Sequence, residues 1–343
     1  MKAVVLRAPG DVGVDDVPDP QIVEEDDAIV AVKATAICGA DLFPYHGLTP
    51  GFEAGTILGH EFAGEVVAVG PGVREVAVGR RVVNASMISC GACLSCGAGR
   101  VTQCDGRALF GYSGVYPRLD GGQAELVRVP RADRALRLLP DEVSDEAAVF
   151  FADILPTGFG AVTRAGVSEG DTVAVVGCGP VGLMAVMCAV DAGARVIAID
   201  GIEERRGLAE QLGAEACDPA AAAEAVAGAT EGLGADVVIE AAGVPAALDA
   251  SLELARGRGT ISVVGAHFEP DYPLDNGRMF ERELTLRFTI GDPTADGAHL
   301  LDLVASGRLD PMPVITHRMP LADAGEAYRL FDNREATKVV LAP

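Results

Sequence analysis

The chain has 343 residues, 49% of them hydrophobic, and its 50 acidic against 27 basic residues leave a formal net charge of −23. That length suggests about two domains with ample material for two cores. The acid excess excludes nucleic acid and anionic membrane surfaces as partners, since both require a basic patch to neutralise phosphate.

No apolar run approaches the length of a membrane span, and the apolar stretch before Pro9 and Gly10 is too short for a secretory signal. A cytoplasmic protein acting on a small molecule is expected. Eight cysteines in such a chain read as metal ligands or buried thiols rather than disulfides.

Residues 1–35 alternate short apolar runs, 3–6 and 28–34, with turn signals at Pro9-Gly10 and Pro18-Asp19-Pro20, which predicts antiparallel strands. The first chemical residues follow in Cys38-Gly39-Ala40-Asp41 and Gly59-His60-Glu61. Cys38 and His60 are candidate metal ligands; a buried thiol and a satisfied histidine are the plainer alternative. Asp153 is a third candidate, because it interrupts the apolar stretch 151–158, and a buried carboxylate is costly unless paired or metal-bound. Cysteine, histidine and carboxylate form a three-ligand zinc set with the fourth position open. Glu61 fits an occasional fourth ligand or a group supporting the ligands, and otherwise a strand-end surface acid.

Cys90, Cys93, Cys96 and Cys104 are spaced C-x2-C-x2-C-x7-C within a glycine-rich stretch, 88–106, that has no core of its own. A closed four-thiolate zinc would fix such a lobe. An iron–sulfur cluster or free thiols are the alternatives. Cys178, Cys188 and Cys217 read as packing residues.

Residues 172–200 spell strand, glycine turn, helix and second strand. Gly177, Gly179 and Gly182 give G-x-G-x-x-G: the first for a tight turn, the second for close approach to a pyrophosphate, the third for helix–strand packing. Pro180 and Val181 open the helix, whose free N–H groups face phosphate. Asp200 ends the second strand about 20 residues beyond the turn, where a carboxylate bonds the ribose hydroxyls of NAD and repels the 2′-phosphate of NADP. Arg205 offers a surface for adenine or is simply a helix-surface arginine.

A βα alternation continues with a helix over 203–212, a strand over 235–240, a helix over 245–255 and strands over 260–264 and 284–290, consistent with a doubly wound parallel sheet. His267, past a strand end, borders the crevice where such sheets bind ligands. Helical patterns at 296–306 and 321–332 precede a strand over 337–341.

Taken together, the C-G-x-D and Gly59-His60-Glu61 segments, the four-cysteine lobe, Gly121-Gly122-Gln123-Ala124-Glu125, the Pro156-Thr157-Gly158 segment and the glycine turn resemble, end to end, the zinc-dependent alcohol dehydrogenase group of the medium-chain dehydrogenase/reductase family. The resemblance implies an α/β protein: a GroES-like β-rich catalytic domain, 1–152 and 292–343, and a Rossmann cofactor domain, 153–291. It places the catalytic zinc on Cys38, His60 and Asp153 with Glu61 nearby, Thr157 close to the nicotinamide, and Lys338 near the cofactor phosphates. It also implies a homodimer or homotetramer, through the strand over 284–290.

One departure matters. The family usually carries serine or threonine two residues after the first zinc cysteine, and often a histidine three residues further on, to carry away the alcohol proton. Ala40 and Phe43 stand there, and neither can carry a proton. Tyr45, His46, Glu61 or water are candidate substitutes.

The expectation is an oxidoreductase with two zinc ions per chain, moving a hydride between NAD and an alcohol or polyol, or the matching ketone or aldehyde. The alternatives are an NAD(P)H-dependent reductase of C=C or C=N bonds and, last, a non-catalytic cofactor-binding protein. Pocket shape is expected from 43–52, 111–117 and 267–272.

Overall fold

The computed structural model of the chain describes residues 1–268 and 271–343. It divides into two compact units, Met1–Asp153 with Asp292–Pro343, and Ile154–Gly291, so the division falls one residue later than the sequence suggests.

In the first unit, strands run in the order Leu136–Leu138, Arg81–Asn84, Glu61–Val69, Ala28–Ala36, Val339–Ala342 and His317–Pro320, with Leu126–Val129 also paired to Ala28–Ala36. Alternation dictates these strands: Val30, Val32, Phe62, Val66 and Val82 point to one core, while Ile37, Leu58, Tyr328, Val339 and Leu341 form another.

Register decides what lies beyond the strand ends. Ala36 pairs with Glu61 on one side and Val340 on the other, so Cys38, His60 and Lys338 are carried to the same end of the sheet although they lie far apart in sequence.

The second unit holds a six-stranded parallel sheet ordered Glu215–Cys217, Arg195–Ile199, Thr172–Val176, Ala235–Glu240, Ala255–Val263 and Thr285–Phe288. Thr172–Val176 is buried at every position, as a parallel strand covered on both faces must be. Strand order reverses beside it, with Arg195–Ile199 on one flank and Ala235–Glu240 on the other, and open α/β sheets bind ligands at that switch point. Among the described residues no helix is long and apolar enough to cross a membrane.

Candidate active site and structural metal centre

Cys38, His60, Glu61 and Asp153 each place a ligand atom within 4.8 Å of the others. Cys38 Sγ lies 3.7 Å and His60 Nε2 3.4 Å from Asp153 Oδ2. A tetrahedral zinc with ordinary bond lengths sets sulfur and oxygen ligands about 3.6 Å apart and nitrogen and oxygen about 3.4 Å apart. The spacing therefore fits a shared ion. His60 is buried, and neither ring nitrogen has a hydrogen-bonded partner, although a carboxylate oxygen faces each. Asp41 supplies one of them: its Oδ1 is 3.2 Å from His60 Nδ1, while its Oδ2 accepts from the Cys38 N–H at 3.0 Å. Ser86 Oγ stands 3.5 Å from Asp153 Oδ1.

The electrostatics suit a cation. Burial, reinforced by the Glu61 charge, pushes the Cys38 thiol up to about 11. Burial opposes charge on His60 too, but Asp41 and Cys38 hold its imidazole well above the usual range. A cysteine binds metal as thiolate, so metal uptake at Cys38 must release its proton.

The four-cysteine lobe meets the same test. Cys90, Cys93, Cys96 and Cys104 form the other convergent ligand group among the described residues, with Cys90 Sγ 4.0 Å from Cys96 Sγ against about 3.8 Å for a zinc tetrathiolate. The N–H groups of Ala92 and Cys93 donate to Cys90 Sγ at 3.4 and 3.3 Å, and these bonds bring that thiol down to about 6. Backbone donors aimed at sulfur on a coreless loop suit a structural four-thiolate site.

In the second unit, Gly177 has φ +95°, and a Cβ there would stand 2.8 Å from the Ala242 nitrogen. A Cβ on Gly182 would strike the Gly177 carbonyl. Gly179 faces open space and caps the helix Pro180–Asp191 without a side-chain partner for its first N–H groups, a cradle that fits a pyrophosphate. Asp200 accepts from the Cys178 N–H at 2.7 Å through Oδ2 and from the Ile202 N–H at 2.8 Å through Oδ1, which fixes its carboxylate at the turn. Arg205 is half-buried one turn into the next helix, with its charge felt at Cys178. Thr157 lies in the helix Ile154–Ala165 against Gly291. His267 Nε2 is 3.0 Å from the buried Glu240 carboxylate; residues 269 and 270 of the expected pocket stretch lie outside the described residues.

Two residues singled out in the sequence make other contacts within the first unit. Lys338, expected near the cofactor phosphates, is fully buried in the first unit, bonded to Glu61 Oε2 and to the Ile37 carbonyl at 3.1 Å, directly ahead of the strand Val339–Ala342 whose Val340 pairs with Ala36. His46 is not at the metal group. It closes the short helix Leu42–Tyr45 on the surface, where its Nε2 meets Asp332 Oδ1 at 2.7 Å. Tyr45 packs its ring on Tyr328 instead of offering a relay.

Sequence reasoning missed two residues. Asp41 was visible only as part of its motif. Tyr112 is buried, donates its hydroxyl to the Ala40 carbonyl and sets its ring 6.5 Å from that of His60. The loop 111–117 gave only a general pointer to it.

Fold and site together define a zinc-dependent, nicotinamide-linked oxidoreductase with a GroES-like catalytic unit and a Rossmann unit. Residues 24–141 match the alcohol dehydrogenase GroES-like domain and residues 180–306 the zinc-binding dehydrogenase domain. A protein of Mycobacterium tuberculosis described as a zinc-binding alcohol dehydrogenase is 39% identical over 96% of this chain and 84% of its own. The alcohol dehydrogenase from Thermus sp. ATN1 superposes with a TM-score of 0.95 at 39% identity, covering 100% of this chain and 99% of its own. A zinc-binding dehydrogenase of Sinorhizobium meliloti, solved bound to NADP, gives 0.88 at 34%, covering 100% and 99%. The chain belongs to the zinc-dependent alcohol dehydrogenase group of the medium-chain dehydrogenase/reductase family.

Proposed function

We propose that this enzyme oxidises an alcohol or polyol with NAD, or reduces the corresponding ketone or aldehyde, at a zinc held by Cys38, His60 and Asp153. The observation that carries the reading is the convergence of these three ligand atoms beside a fourth group, the Glu61 carboxylate, that is already paired. When bound, zinc supplies Lewis acidity and the nicotinamide accepts or donates the hydride.

The chain's own residues do the positioning. Asp41 orients the His60 ring and Ser86 supports Asp153. The Gly177–Gly182 turn with Pro180 and Val181 receives the pyrophosphate, Asp200 the ribose, Arg205 the adenine, and Thr157 the nicotinamide side. NAD is favoured over NADP because Asp200 presents a fixed negative charge at the strand end. The four-cysteine lobe is scaffolding. A cytoplasmic homodimer or homotetramer completes the reading: reduced thiols suit that compartment, and the edge strand Thr285–Phe288 leaves Phe288 exposed for pairing.

Ala40 and Phe43 stand in the relay positions and His46 is turned to the surface against Asp332, and this favours a second reading: reduction of an activated C=C or C=N bond. Metal analysis of the purified enzyme tests the first. About two zincs per chain are expected, falling towards one in Asp153→Asn and, independently, in Cys93→Ser. About one zinc in both the parent and Asp153→Asn would leave only the lobe filled and turn the assignment to the reductase.

A further inference from the structure

The residue just ahead of the C-terminal strand Val339–Ala342 contributes a buried cation to the edge of the metal group, and nothing in hydride transfer requires one there. Lys338 and Glu61 both have side chains with no exposed surface, although their positions differ by 277 in sequence. Burying such a pair is expensive in desolvation, so its presence calls for a role beyond stability. The two carboxylate oxygens of Glu61 are treated unequally. Oε2 accepts from Lys338 Nζ, whereas Oε1 is buried with no hydrogen-bond partner. A Glu61 oxygen also lies within 4.8 Å of the Cys38, His60 and Asp153 ligand atoms, so the carboxylate is within a small side-chain movement of the metal.

We infer that Lys338 is a positioning residue that holds Glu61 off the open coordination position of the metal, keeping that position free for substrate oxygen. This rests on the ligand set proposed above.

The argument is one of competing cations. Cys38 thiolate and Asp153 carboxylate already neutralise a divalent ion, and the Glu61 charge, on a side chain with no exposed surface, needs its own partner. Lys338 is that partner, and it cannot follow Glu61 towards the metal. Its Nζ is tied to the Ile37 carbonyl at 3.1 Å and lies 6.0 Å from the Phe150 ring centroid, while its backbone leads directly into the strand Val339–Ala342 that pairs with Ala36. Without the ammonium, the metal becomes the nearest cation for Glu61, and a fourth protein ligand closes the site.

Cobalt-substituted enzyme titrated with azide tests this, because azide entering the open position changes the visible cobalt spectrum. Lys338→Met weakens azide binding by about tenfold or more, and adding Glu61→Gln to that variant restores parental affinity, since the competing carboxylate is gone. Lys338→Gln keeps a donor for the Ile37 carbonyl without the charge, and carries the same comparison if the methionine variant does not fold. Azide affinity within about twofold of the parent in these variants, or a loss that Glu61→Gln does not reverse, overturns the assignment. Cys38→Ser separates the two levels. If it leaves the azide-sensitive spectrum intact, the ligand set itself is wrong and both conclusions fall. If it abolishes that spectrum while the Lys338 variants bind azide normally, only the role of Lys338 falls.

Discussion

His60 Nδ1 lies 3.2 Å from Oδ1 of Asp41, and both side chains are buried. Asp41 follows Cys38 by three residues on the turn Gly39–Asp41, so one tight turn supplies both a metal ligand and the carboxylate that faces another ligand. That contact fixes which histidine nitrogen is left for the metal. Asp41→Asn keeps the shape but removes the charge, and metal affinity at Cys38, His60 and Asp153 should fall by about 10- to 100-fold. Competition with a chelator measures it, the four-cysteine zinc serving as the internal control. An unchanged affinity would make Asp41 a purely structural residue of the turn.

Parts of this molecule were legible in the sequence because their information is local. The Gly177–Gly182 turn and the Cys90–Cys104 spacing each sit within 15 residues, and backbone sterics or ligand geometry dictate both. Strand Arg195–Ile199 was readable from a short apolar run for the same reason. The environment of Lys338 was not legible, because it depends on which residue of Val339–Ala342 pairs with Ala36, and a one-residue slip would turn Lys338 to the other face. His46 misled for a related reason: proximity to Cys38 in sequence suggested proximity to the metal, but the helix Leu42–Tyr45 turns it outward to Asp332. Tyr112 reaches Ala40 across 72 residues, and no spacing rule announces such a contact.

The proposed preference for NAD over NADP rests on Asp200. Its two oxygens already accept one backbone N–H each, which leaves a second lone pair on each for a ribose hydroxyl and holds the negative charge in place. Asp200→Ala removes both the acceptor and the repulsion towards a 2′-phosphate. The ratio of kcat/KM with NAD to that with NADP should drop by about tenfold or more, the worth of one charge-assisted hydrogen bond. Parallel assays with the two cofactors give the ratio directly. Equal losses with both would show that Asp200 only braces the turn.

Asp236 ties three neighbouring strands of the parallel sheet together and makes stability there depend on pH. Its Oδ2 accepts from the Thr172 N–H at 2.8 Å and its Oδ1 from Arg256 Nε at 2.7 Å. Burial works to raise its pKa, but the Thr172 amide and the Arg256 guanidinium outweigh it and hold the carboxyl below the usual range. A carboxyl depressed in the folded state stabilises above its unfolded pKa, and that contribution disappears as pH falls through the folded value. Asp236→Asn should therefore cost about 1 kcal/mol near neutrality, the low end for a charged hydrogen bond because Arg256 is partly solvated. Urea unfolding of parent and variant from neutral to acid pH measures the gap, which should stay level until the carboxylate range and then close. A gap that persists in acid would mean that side-chain shape, not charge, joins these strands.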